Sequence, residues 1–92
     1  MNEILNKKEV LKKLNNQYFK SFARFEHVYY YMSNFDEKVK KFNNEFLKLT
    51  SAVLTGDVDK TLERMCHTSF YFYATSNERE NLEFEISRKW KD

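Results

Sequence analysis

The chain has no proline, a single glycine and a single cysteine. One glycine cannot build a phosphate-cradling loop, which needs several residues free of a Cβ. One cysteine excludes an internal disulfide framework and any paired-thiol redox motif. Without proline, nothing in the sequence forbids long uninterrupted helices. No apolar run approaches the ~20 residues of a membrane-spanning helix. The first residues, Met1 to Lys8, lack the continuous apolar stretch of a secretory leader. A reducing, cytoplasmic setting is the expectation that follows. A formal net charge of +2 is far below the basic excess of most nucleic-acid binders.

What the chain does have is aromatics: nine Phe, six Tyr and one Trp in 92 residues. Large rings bury the most area per side chain, so even a short chain can assemble a dense core from them. Its apolar residues follow a seven-residue repeat. Ile4, Leu11, Tyr18, Phe25, Met32, Val39, Phe46 and Val53 share one heptad position. Leu14, Val28, Phe35, Phe42 and Leu49 share the matching one, which fails only at Lys7 and Ser21. Residues three and four apart share a helix face, so the pattern is an apolar stripe that another helix must cover.

Local signals divide the chain. Asn34 with Glu37, and Thr75 with Glu78, have capping-box spacing, while Gly56 followed by Asp57 reads as a helix stop and a new start. These predict helices over 3–33, 35–54, 58–74 and 77–91 in a single domain, 1–92. Short connections make neighbours antiparallel, so the expected fold is an all-α, small antiparallel helical bundle. Two alternatives compete with it. The heptad keeps its phase through Ser33 and Asn34, as a continuous helix of 50 residues or so would, and such a rod would have to dimerise as a coiled coil. Period-two alternation at Leu82, Phe84 and Ile86, after the β-prone run Phe70 to Tyr73, would suit a β-hairpin at about 69–88. Against the hairpin, Leu82, Ile86 and Trp90 also repeat at helical spacing. Arg79 with Glu83 and Glu85 with Lys89 are opposite charges four apart.

Charge is unevenly placed. Residues 1–24 carry Lys7, Lys8, Lys12, Lys13, Lys20 and Arg24 against Glu3 and Glu9, whereas residues 57–92 carry an acidic excess. The two ends either lie side by side or leave the basic one to face an acidic partner.

Candidate chemistry is sparse. His27 and His67 each follow an Arg three residues earlier, a spacing that shares a helix face, but a packed or capping histidine explains both. Cys66 reads as a small residue of a helix interior. Cys66 and His67 point about 100° apart on a helix, so they cannot readily close on one ion with His27. No metal, cofactor or catalytic residue is assigned. Glu78, Glu80, Glu83 and Glu85 are interleaved with bases and read as a salt-bridged outer face. A helix-turn-helix over 48–67 fails, because Ser51, Thr55 and Asp57 fall where apolar residues are required.

The remaining feature is Tyr29-Tyr30-Tyr31. Three successive positions span most of a helix circumference, so they cannot all face one core, and Tyr30 lies opposite the stripe. Phe19 and Leu47 are also off it. Exposed rings make good contact anchors, since they offer large area for little entropy. The sequence therefore points to a protein-binding surface formed by Lys12, Lys13, Lys20, Arg24, Tyr30 and Tyr31. The expected class is a non-enzymatic inhibitor or regulator that occludes a partner protein, of the kind phages and mobile elements carry. Its look is similar to that of small helical immunity proteins, phage-encoded inhibitors and coiled-coil adaptors, a likeness of architecture only. A nucleic-acid binder using the basic first helix and a structural coiled-coil oligomer, such as a homodimer, are the alternatives. No membrane partner is expected.

Overall fold

The computed structural model describes the backbone of residues 2–89 and the side chains of residues 7–88. Ile4, Lys89 and Trp90, used above as pattern positions, therefore lie outside the described side chains. Five helices follow one another: α1 (Asn2–Tyr29), α2 (Phe35–Thr55), α3 (Val58–Cys66), α4 (Ser69–Phe72) and α5 (Ser76–Lys89). The fold is an all-α antiparallel bundle. No strand occurs among the described residues, so the hairpin alternative is not what forms. A hairpin would have placed Leu82, Phe84 and Ile86 on one face. Instead Leu82 and Ile86 are buried at helical spacing, while Phe84 is 62% exposed.

The continuous rod does not form either. The chain turns at 30–34, and α2 folds back along α1, stacking Phe25 on Phe35 and packing it against Phe42. Each helix needs its own 3–4 stripe, so a shared heptad phase across the turn carries no structural information. The Asn34 side chain makes no cap hydrogen bond, unlike the other two predicted starts. Asp57 caps α3 by accepting from the Lys60 N–H. Thr75 and Glu78 form a reciprocal box at α5, with the Thr75 N–H donating to Glu78 Oε1 at 2.8 Å and the Glu78 N–H to Thr75 Oγ1 at 3.2 Å.

The expected helix over 58–74 is broken in two. Thr68 has extended φ/ψ (−95°, 150°); its Oγ1 donates to the Met65 carbonyl and accepts from the Tyr71 N–H, ending one helix and starting the next. Gly56 closes α2 at φ 80°, ψ 14°, its N–H donating to the Val53 carbonyl. A Cβ is unfavourable in this left-handed region. Gly56→Ala is expected to lower stability by about 1 kcal/mol, read from the urea midpoint.

The core explains the heptad failure at Ser21. α1 is contacted on two flanks: by α2 on one, and by α4 and α5 on the other. Tyr18, Phe22 and Phe25 pack rings against Phe42 of α2. Val10, Leu14, Gln17 and Ser21 form a second buried row, with Ser21 fully covered. The stripe is thus displaced from the plain heptad. Val28 and Met32, both on it, are 44% and 37% exposed.

Candidate functional site

The basic flank of α1 lies against the acidic flank of α5, and a single carboxylate organises the seam. Glu78 Oε1 accepts from Arg24 Nη1 at 2.6 Å, from Gln17 Nε2 at 3.1 Å and from the Thr75 N–H at 2.8 Å. Its Oε2 accepts from Arg24 Nη2 at 3.1 Å, completing a two-pronged pair. Gln17 also donates to Ser21 Oγ at 3.0 Å, and Arg24 to the Tyr73 carbonyl at 2.9 Å. The Arg24 bond holds the Glu78 carboxyl down at about 2, helped by the donors from Thr75 and Gln17 and opposed by burial. The same bond pushes the Arg24 guanidinium up. A cap of α5 is therefore also the clasp that fastens α5 to α1.

That arrangement sorts the six residues singled out from the sequence. Arg24 is engaged inside the molecule. Lys13 and Lys20 line a shallow groove of about 380 Å³ between α1 and α5, facing Glu78 and Glu85. Lys12 is exposed one residue away from Lys13, about 100° round α1, on the flank that carries Phe19. Tyr30 and Tyr31 leave the end of α1 at the turn. The six do not form one continuous stripe.

The tyrosine run resolves into one structural ring and two free ones. Tyr29 is half-buried; its hydroxyl accepts from Tyr73 Oη at 3.0 Å, and Lys38 Nζ sits 4.7 Å above its ring. Burial and that hydrogen bond push the Tyr73 hydroxyl up to about 12. Tyr30 and Tyr31 are 63% and 75% exposed and lean edge-on against each other at 5.9 Å. Met32 stands beside them in the turn. Phe72, 69% exposed, closes α4 at the same end, its ring edge-on to Tyr73 at 5.2 Å. This end of the bundle is an aromatic tip.

A likeness to known proteins could give the tip a name. None does: no family model, curated protein or solved structure matches the chain.

Elsewhere the structure offers little concentrated chemistry. A cleft of about 620 Å³ beside α2 and α3 is lined by Lys48, Lys60, Arg64 and His67, but Glu45, Asp57, Asp59 and Glu63 line it too, and the signs cancel. Cys66 is exposed at the end of α3, so the expectation of a helix-interior residue is corrected: the helix stops there, and Met65 takes the buried place. His27 is exposed, and Arg24 beside it is tied to Glu78. Phe72 was not singled out from the sequence. The sole signal for it was its place two residues after Phe70, whose full burial turns Phe72 outward.

Proposed function

We propose that this chain is a protein-binding module, an inhibitor or regulator that works by covering a partner protein's surface, and that it grips the partner with the aromatic tip. The observation that carries the reading is the exposure of Tyr30 and Tyr31 on a rigid support. Tyr29 and Phe25, directly beneath, are packed against Phe35, Phe42 and Tyr73. Scattered exposed apolar residues are ordinary, but adjoining large rings at one end of a small domain suit an interface core. Protein is favoured over nucleic acid because Lys13 and Lys20 stand beside Glu78 and Glu85, which repel phosphate.

The test is capture of host proteins by the tagged chain, followed by mass spectrometry. Tyr31→Ala is expected to lose the captured protein, whereas Lys20→Glu is expected to retain it, since Lys20 is in the α1–α5 groove. Equal capture by wild type and Tyr31→Ala would remove the tip from consideration.

A further inference from the structure

A second surface, the flank of the α1–α2 hairpin turned away from α3, α4 and α5, is also uncovered and shares only Tyr30 with the tip. Tyr18 and Phe46 meet across the hairpin seam with ring centroids 4.7 Å apart. Each is followed by a residue turned outward on the same side: Phe19, 70% exposed, and Leu47, 60% exposed. Phe19 lies roughly 140° round α1 from buried Leu14, and Leu47 the same angle round α2 from buried Phe42. Nothing among the described residues covers either.

The order of residues along this flank of α1 has a symmetry of its own. Lys8, Lys12, Asn15, Phe19, Ala23, Glu26 and Tyr30 are all exposed. Lys12 and Glu26 stand at equal distances on either side of Phe19, about 10.5 Å along the helix. Lys8 and Tyr30 are likewise equidistant from it, at about 16.5 Å. Among the described residues neither Lys12 nor Glu26 enters an ion pair. The flank is therefore cationic at one end, apolar in the middle and anionic at the other, and it is its own complement when turned end for end.

We propose that two copies of this chain pair through this flank about a twofold axis passing at Phe19. The α1 helices run antiparallel there. Phe19 meets Phe19 of the second copy, and Lys12 meets Glu26 of the second copy, a contact that symmetry makes twice. Lys8 falls opposite the ring of Tyr30 of the second copy, a cation–π arrangement. From α2, Leu47 widens the apolar strip at the axis, and Leu54, about 10.5 Å along the helix, falls opposite the aliphatic stem of Lys40 of the second copy, while Asp36 adds to the acidic end. A face of two helices, each about 10 Å wide and used over about 33 Å, presents on the order of 650 Å². That is just under the ~800 Å² per partner of a standard interface, the size of a reversible pair rather than an obligate one.

Sedimentation equilibrium of the full chain up to about 1 mM tests this. Wild type is expected to show a concentration-dependent dimer mass. Lys12→Glu and Glu26→Lys each set like charges opposite one another and are expected to weaken the dimer about tenfold. The double variant Lys12→Glu/Glu26→Lys restores the pairs with reversed sign and is expected to return to near wild-type affinity. Phe19→Asp is expected to be monomeric, with an unchanged helical circular dichroism spectrum because the residue is exposed. A monomeric wild type at every concentration overturns the proposal, as does a double variant no stronger than the singles. Either result leaves capture through Tyr31 untouched, so this surface and the tip fail separately.

Discussion

Phe42→Ala is expected to remove about 3–5 kcal/mol from the stability of the fold, the largest loss of any single substitution considered. Phe42 is 1% exposed, and its ring lies 4.7 Å from Phe25, 5.5 Å from Phe22 and 5.6 Å from Tyr18. Those three rings of α1 converge on it, so it is the point where the α1–α2 hairpin is held together. Truncating a buried Phe costs about 3–5 kcal/mol, part from lost transfer free energy and part from the cavity left behind. A domain of this size has on the order of 5–14 kcal/mol in total, so the loss is a large fraction of the whole. Neighbouring aromatic rings are stiff and cannot collapse into the void, which places the cost toward the upper end. Urea titration followed by circular dichroism measures it. Phe84→Ala is the control: Phe84 is 62% exposed, with the Arg88 guanidinium over its ring. It should shift stability by no more than about 0.5 kcal/mol. Equal midpoints for the two variants would show that the aromatic cluster is not what stabilises the bundle.

The contrast between these two phenylalanines shows what the sequence could disclose. On α2, the stripe Phe42, Phe46, Leu49 and Val53 is buried as its spacing predicts, because one flank of that helix supplies nearly all its packing. The outward direction of Phe19, Tyr30 and Leu47 was also readable, since it depends only on helix phase. On α1 the same rule gave half the answer. Gln17 and Ser21 are buried although they are polar, because a carboxylate 61 residues after Gln17 accepts a hydrogen bond from its amide, which also donates to Ser21. No periodicity can announce a partner at that separation. The break at Thr68 was missed for a related reason. Neither glycine nor proline marks it, and Thr68 acts as a cap only because Met65 and Phe70 are both drawn into the core. The lysine flank shows the same limit. Lys12 and Lys13 fall on different flanks of α1, and whether Lys13 and Lys20 met solvent or Glu85 depended on which helix docked beside them.

The clasp at Glu78 should make the protein sensitive to acid in a way that one substitution abolishes. In the folded chain its carboxyl is held at about 2, below the ordinary carboxylate value. Unfolding releases Arg24 and returns the group to that ordinary value, ~4.3. A depressed folded value means the stabilisation is complete above the unfolded value and disappears as pH falls through the folded one. Wild type is therefore expected to lose stability between about pH 4.5 and pH 2. At neutral pH, Glu78→Ala removes one half of the α5 capping box, worth about 1 kcal/mol, together with charge-assisted bonds to Arg24 and Gln17. The Arg24 side chain is 41% exposed, so water screens the pair and offers the guanidinium new partners. The combined cost is about 2 kcal/mol rather than the 3–5 of a fully buried pair. Toward pH 2 the two proteins should converge, because protonation removes from wild type what the substitution has already removed. Glu78→Gln separates the contributions: it keeps a side chain that can complete the capping box but carries no charge, so it should fall between the two at pH 7 and show the flatter acid limb. Chemical denaturation at pH 7, 4 and 2.5 gives all three curves. A constant gap between wild type and Glu78→Ala across that range would mean that the Arg24–Glu78 ion pair contributes nothing to holding α5 on α1.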